Sequence, residues 1–200
     1  TTDWNLVWRT WDYPTNQPAK IPNRKGILTH PAWLIAHSQN LETDPIHRGK
    51  WIREKLLAGT IPDVPITVDA VIHPNKEKTL RQRMEVRTGD TYCWRCHQKM
   101  DPLGFPFENY DDFGRFRLQE NLEHPDNLNK KADRKILNKF GASLAEYKTL
   151  PVDARGVLKG TDDKKLDGDV KDAFDLIDRL AKSDKVRQSI IRHDFRYFLG

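Results

Sequence analysis

The chain has 200 residues, of which 37% are hydrophobic and 32% are charged, and its formal net charge is +5. This composition suits one domain or two small ones, with a core large enough to fold without disulfides or structural metals. No apolar run approaches the roughly 18 residues that a membrane-spanning helix needs, and the basic residues are interleaved with acidic ones instead of forming the clustered stripe that nucleic-acid binding requires.

The first part of the chain predicts an extended segment followed by two helices. Residues 1–20 combine aromatic residues with two prolines, which favours extended chain over helix. A first helix is predicted over 31–38, with Thr29 as its N-cap. Asp44-Pro45 begins a second helix, because aspartate caps helix N-termini and proline fits the first helical position, and Gly59 ends it.

The middle of the chain predicts one strand and two further helices. Alternating apolar residues over 66–71 favour a short edge strand, and residues 76–87 favour a helix. We expect the helix that follows to end near Asp101-Pro102, because proline disfavours helical backbone in its predecessor. Gly104 then permits a tight bend.

The last part of the chain predicts an irregular stretch and a pair of helices. Residues 118–150 are polar and indicate an insertion or linker, with a helix over 133–140. A short strand is predicted over 152–158. Apolar residues at helical spacing over 170–181 and 186–198 predict a closing helical hairpin. The pattern as a whole predicts a mainly α fold with few short strands.

The motif with the clearest chemistry is Cys93-Trp94-Arg95-Cys96-His97. A Cys-x-x-Cys-His sequence is typical of covalent attachment of a c-type haem. One helical turn brings both thiols to one side, where they can form thioethers with the two vinyl groups of a porphyrin, and the adjacent His97 is then the proximal iron ligand. The cofactor predicted is therefore one covalently attached haem c.

Other chemistry for the two cysteines stays open. Half of a zinc site is one alternative, although zinc sites recruit a second pair of ligands and the chain has no other cysteine. A thioredoxin-like redox pair is another, but the charged, helix-like residues 80–91 do not resemble the strand that precedes such a motif. A structural disulfide across four residues strains the bridge geometry.

Longer stretches of the sequence resemble a known family. The run CWRCHQKMDPLGFPFENYDDFGRFR, residues 93–117, resembles the haem-binding motif of uncharacterised domains near the C-termini of large multidomain proteins of planctomycete-type bacteria. GILTHPAWLIAHS (26–38) and HRGKWIREKLL (47–57) are similar to the same family, and 152–200 is similar to its small terminal helical domain. The resemblance implies a cytochrome c-like helical haem module, without a known reaction.

These patterns together predict the domain organisation and setting. We expect an extended segment over 1–20, a haem domain over 21–117, an insertion or linker over 118–150 and a small helical domain over 151–200. The chain is expected to be a fragment of a larger exported protein of the periplasm or cell envelope, because thioether attachment takes place outside the cytoplasmic membrane. Its partners are expected to be a redox protein or neighbouring domains of the same parent chain.

The residues expected around the iron indicate how the haem is enclosed and ligated. Trp94, Phe105 and Phe107 are expected to wall the porphyrin and exclude water. His30 is the first candidate for a sixth iron ligand and His37 the second, with hydrogen-bonded surface histidines as the alternative.

Two methionines are weaker candidates for the sixth ligand. Met100 follows His97 too closely to cross the ring, and Met84 is expected in an apolar core.

A six-coordinate haem favours single-electron transfer over catalysis. The alternative function is a haem enzyme or small-ligand sensor with an open or displaceable distal site. A weaker possibility is a structural domain in which haem only supports folding.

Overall fold

The computed structural model describes residues 21–63, 71–128 and 147–200. The segment predicted over 1–20 and the helix predicted over 133–140 lie outside the described residues, as does nearly all of the strand predicted over 66–71. Within the described residues, seven α-helices and two small antiparallel sheets make the fold mainly α, as the sequence predicts. None of the helices in these ranges combines the length and hydrophobicity that crossing a bilayer would require.

The N-terminal part of the fold consists of five short helices. They are α1 (Pro31–Ala36), α2 (Pro45–Trp51), α3 (Leu80–Thr88), α4 (Thr91–His97) and α5 (Asp101–Gly104). A π-helical turn, Ile52–Leu56, continues α2, and a 3-10 turn, Phe105–Asn109, continues α5. The motif therefore lies on α4, at the end of this helical group.

The C-terminal part adds two small sheets and two helices. Its elements are β1 (Gln119–Asn121), β2 (Thr149–Pro151), β3 (Gly156–Leu158), β4 (Gly168–Val170), α6 (Ala173–Lys182) and α7 (Asp184–Leu199). β1 pairs with β2 and β3 with β4, both antiparallel. The predicted strand over 152–158 is present in shorter form as β3. The predicted closing helices are also present, joined by Ser183 alone, which is shorter than the two to five residues of a usual hairpin loop.

Capping side chains explain where α2 and α3 begin. The Asp44 carboxylate accepts a hydrogen bond from the backbone N–H of His47 at 2.9 Å, as the sequence predicts for α2. The helix predicted from residue 76 instead begins at Leu80. Thr79 and Gln82 form a capping box there, and its two reciprocal hydrogen bonds fix the start of α3.

The predicted cap of α1 is wrong by one residue. His30 is the N-cap, and its Nδ1 accepts a hydrogen bond from the backbone N–H of Ala32 at 3.2 Å. Thr29 is buried, and its hydroxyl accepts from the backbone N–H of Lys25 instead. Because the Thr29 oxygen already has this partner, the imidazole of the next residue satisfies the helix N-terminus.

One hydrophobic core joins the N-terminal helices to the C-terminal part. Its members come from the turn before α1, from α1, from the segments around α2 and α5, and from β3, β4, α6 and α7; they are Leu28, Trp33, Leu34, Ile52, Leu57, Leu103, Phe107, Tyr110, Leu158, Val170, Ala173, Leu176, Leu180 and Val186. This core contains residues from both sides of position 151, and the domain division predicted there stays a prediction. A smaller cluster, Leu80, Met84 and Phe105, lies under α3.

Two glycines let α2 and α5 approach each other closely. A Cβ atom on Gly49 would lie 1.9 Å from the carbonyl oxygen of Met100, and one on Gly104 would lie 1.8 Å from the carbonyl oxygen of Pro45. Gly104 has ordinary right-handed helical backbone, φ −88° and ψ −35°, so the expectation that it allows a tight bend is wrong. Glycine is needed at this position because a side chain would prevent the close packing of α5 against α2.

A buried arginine of α2, Arg48, connects the helices of the N-terminal part. The Arg48 guanidinium is fully buried and donates hydrogen bonds to the carbonyl oxygens of His37 and Phe107, at 3.2 and 3.1 Å, and to the hydroxyl of Ser38 at 2.8 Å. Glu108, also buried, lies 3.6 Å from it. Burial lowers the pKa of Arg48 to about 10, so the side chain stays charged at neutral pH.

We expect Arg48→Met to lower the free energy of unfolding by about 3 kcal/mol, because it removes a buried cation from Glu108, leaving Arg117 as its partner, and takes hydrogen-bond donors from the His37 and Phe107 carbonyl groups. Urea denaturation followed by far-ultraviolet circular dichroism measures the change. Arg155→Met is the matched control, since Arg155 is exposed and solvent screens its ion pair with Asp153. Equal losses in the two variants would contradict a central role for Arg48.

Candidate functional site

Helix α4 places the three motif side chains together. Cys93, Cys96 and His97 are separated by three and four positions, so they share one helical face. All three are half-buried, and both thiols are free. The helix is fixed at its N-terminus by Asp90, whose carboxylate accepts hydrogen bonds from the backbone N–H groups of Tyr92 and Cys93.

The His97 ring is oriented by a buried carboxylate. Its Nδ1 lies 2.9 Å from Oδ1 and 3.0 Å from Oδ2 of Asp101, the first residue of α5. Because a carboxylate accepts, Nδ1 carries the proton and donates, and Nε2 keeps its lone pair. The ring therefore presents Nε2 as a ready metal ligand.

Asp101 has a second donor in reach, the single O–H of Thr88, which is shared with a backbone carbonyl. The Thr88 hydroxyl, at the end of α3, lies 3.2 Å from Oδ2 of Asp101 and 3.0 Å from the carbonyl oxygen of Met84. Burial raises the pKa of Asp101, and the hydrogen bonds from His97 and Thr88 act in the opposite direction. Residues from three helices, α3, α4 and α5, thus meet at this carboxylate.

Two of the predicted aromatic residues line an open cleft beside the motif. Trp94, 40% exposed, and Phe105 lie in a cleft of about 590 Å³. Pro102, Val157 and Val170 add apolar surface to its wall. The motif reaches this cleft through Trp94.

Charged residues form the rim of the same cleft. They are Arg81, Glu85, Arg155, Asp169, Lys171 and Asp175. The Arg81 guanidinium lies over the Phe105 ring, 4.3 Å from its centroid. Three of these side chains are positive and three are negative, so the cleft combines apolar and mixed charged lining.

Phe107, the third predicted aromatic residue, is in the main core. It is fully buried and packs against Trp33, with ring centroids 5.2 Å apart. Its role against a porphyrin stays a prediction.

The first candidate sixth ligand, His30, is committed to the cap of α1. Its Nδ1 accepts the N–H of Ala32, so a neutral ring carries its proton on Nε2. A ring in that tautomer cannot offer the Nε2 lone pair to a metal. Ligation through Nε2 would require His30 to give up the cap.

The second candidate, His37, has a tautomer that leaves Nε2 available. Its ring, however, packs on the side of α2 that carries Trp51, and α5 packs on the side that carries Gly49. Its Nδ1 is 2.8 Å from the carbonyl oxygen of Trp33 and therefore donates. Its ring packs against Trp51, 5.8 Å away. Side chains on an α-helix rotate by about 100° per residue, so Trp51 points roughly 200° from Gly49, which faces α5. Helix α2 thus separates His37 from the Asp101 end of α5.

Both methionines are buried. Met84 lies in the small cluster with Leu80 and Phe105, as expected for a core residue. Met100 precedes α5 and is the N-cap residue of that helix.

The residues around α4 fit covalent attachment of a haem. Two free, accessible thiols and an imidazole with an available Nε2 share one face of one helix, and the partner of Nδ1 is fixed. In the part of the chain that the structure describes, no group of three or more His, Cys, Asp or Glu side chains is arranged to hold a metal ion. A zinc site at Cys93 and Cys96 would therefore need ligands beyond this part.

Sequence reasoning missed Asp101 and Thr88. Asp101 follows His97 by four positions, which is the spacing for contact on a helix, and this was the available signal. The proline after Asp101 instead indicated the end of a helix. Thr88 carried no signal, because its approach to Asp101 depends on how α3 packs against α4.

Comparison with protein families gives one match. Residues 24–120 match the model of PSCyt3, described as a protein of unknown function (DUF1588). The match supports a planctomycete-type, cytochrome-associated domain of unknown function in this part of the chain, which includes α1 to α5 and the motif. Neither the curated proteins nor the solved structures contain a significant match to the chain.

Proposed function

We propose that this chain is a mono-haem c-type cytochrome module that transfers single electrons within or for a larger exported protein. The observation that carries the proposal is the arrangement on α4. Cys93, Cys96 and His97 share one accessible face, and the His97–Asp101 hydrogen bond leaves Nε2 free. The match of residues 24–120 to a cytochrome-associated family supports the same assignment.

Each residue of the site has a defined task in this proposal. A bound haem c supplies a reversible one-electron Fe(III)/Fe(II) couple. Cys93 and Cys96 tether it, and His97 binds its iron through Nε2. Asp101 fixes the tautomer and orientation of His97. Trp94 and Phe105 offer apolar surface beside α4, which excludes water from that side.

The partners and setting follow from this function. A single redox centre requires a donor and an acceptor, which we assign to a separate redox protein or to neighbouring domains of the parent chain. Covalent attachment through thioethers implies the periplasm or cell envelope.

A second candidate is a haem enzyme or small-ligand sensor with an open or displaceable distal position. The placement of the two histidine candidates favours it. His30 is committed to a helix cap, and His37 is separated from α5 by α2. An iron held by His97 without either of them has an exchangeable sixth position.

We expect the protein, co-expressed in a periplasm with haem-attachment machinery, to carry one haem that acidified acetone does not extract. Cys93→Ser/Cys96→Ser removes both thioether positions and should make any bound haem extractable. Mass spectrometry of the intact protein and the reduced α-band check the result. Thr60→Ser is the control, since Thr60 is exposed and lies outside the motif. A wild-type chain with no added mass would refute the proposal.

We expect His30→Ala and His37→Ala to leave the spin state of ferric iron as in the wild type, because the His30 imidazole caps α1 and the His37 ring packs against Trp51. Optical spectra with and without carbon monoxide measure this, with His73→Ala as an exposed histidine control. A carbon monoxide shift in the wild type favours the open site. Conversion from low to high spin in one variant alone would identify that histidine as the sixth ligand and contradict our expectation.

A further inference from the structure

The acceptor that His97 uses, the Asp101 carboxylate, is stronger than the acceptor needed to orient the imidazole ring. A backbone carbonyl or a water molecule also suffices to fix the tautomer of a ligating histidine. Here the acceptor is a carboxylate, and its two oxygens lie 2.9 and 3.0 Å from Nδ1. Asp101 is fully buried, whereas His97 is half-buried.

The surroundings hold this carboxylate in place. The Thr88 hydroxyl is 3.2 Å from Oδ2, and the close approach of Gly49 and Gly104 to backbone carbonyls fixes α5 against α2. Among the described residues, the ion pair that Asp101 makes is the one with His97. Its charge is therefore directed mainly at the imidazole ring.

A buried carboxylate on Nδ1 changes the electronic character of the ligand on Nε2. It draws the Nδ1 proton toward itself, which makes the ring a stronger electron donor. Its negative charge also stabilises the more positive oxidation state of an attached metal, and low dielectric surroundings weaken this effect little. Both effects favour Fe(III) over Fe(II).

We propose that Asp101 is a positioning residue that lowers the reduction potential of an iron bound to His97, and that the Thr88 hydroxyl limits this effect. The hydroxyl shares the charge on Oδ2, so it weakens the carboxylate as an acceptor for His97. The inference rests on the proposed function, because it concerns an iron bound through Nε2.

The experiment is potentiometric titration of the haem-loaded protein at neutral pH. Asp101→Asn removes the charge and should raise the midpoint potential. We expect at least a tenfold change in the oxidised-to-reduced ratio, which for a one-electron couple corresponds to about 59 mV. Thr88→Val is nearly isosteric, removes the competing donor and should move the potential in the negative direction. If the two substitutions only loosened the site, they would not shift the potential in opposite directions.

Asp184→Asn is the matched control. It makes the same change of carboxylate to amide at an exposed position of α7 that does not line the cleft, and solvent screens its charge. Its potential should equal that of the wild type. If Asp101→Asn fails to fold, Thr88→Val alone decides, because a negative shift supports the inference and an unchanged or more positive potential overturns it.

The two proposals fail in different ways. A wild-type protein without covalently bound haem refutes the proposed function and this inference with it. A haem-loaded protein in which Asp101→Asn shifts the potential no more than Asp184→Asn leaves the proposed function intact and overturns the inference.

Discussion

A single buried guanidinium, that of Arg48, determines how the N-terminal helices meet. Its hydrogen bonds go to carbonyl groups of His37 and Phe107, at the end of α1 and in the turn after α5. Carbonyl groups at the ends of helices lack partners within the helix, so a cation with several N–H donors can satisfy several of them at once. The charge is costly to bury, and Glu108 offsets part of that cost. These hydrogen bonds join α1, α2 and this turn through one side chain.

The same helix also connects the core to the motif. Arg48 and Gly49 are neighbours, and they face different elements. While Arg48 binds the end of α1, Gly49 lies against the carbonyl of Met100, which brings α5 close to α2. Asp101 begins α5 and holds His97. The orientation of the imidazole therefore depends on a rigid core, while the two thiols on the same helix stay accessible for modification.

The core contains none of the three motif side chains. In the described residues its fourteen members are apolar, and Cys93, Cys96 and His97 are not among them. Packing of the core and chemistry at α4 are therefore carried by different side chains.

Sequence reasoning predicted well those features that depend on neighbouring residues. The start of α2 at Asp44-Pro45 and the three-residue spacing of the cysteines are local patterns, and both appear on helices as expected. It failed where packing between distant segments decides. Gly104 indicated a bend, yet its role depends on Pro45, which is 59 positions earlier in the chain.

The closing helix shows a related limit. Periodic apolar residues over 186–198 predicted a packed face, but Val186 is buried while Ile191, Phe195 and Phe198 are exposed. Periodicity identifies a helix and its apolar face, and it does not say how far the core extends along that face. The buried contacts of α7 lie near its start, where the Ser189 hydroxyl also donates to the carbonyl of Lys55. Beyond this contact the helix extends past the core.

Two features of the site act in opposite directions on a redox centre held by His97. Apolar surroundings favour the state of lower charge and so raise a potential, whereas a carboxylate on the ligand favours the higher charge and lowers it. The first effect depends on how completely water is excluded, and Trp94 and the cysteines are only partly buried. The second depends on how well the charge is shielded, and Asp101 is fully buried. Because exposure weakens the first effect and burial preserves the second, the carboxylate is the stronger of the two influences in the proposed module.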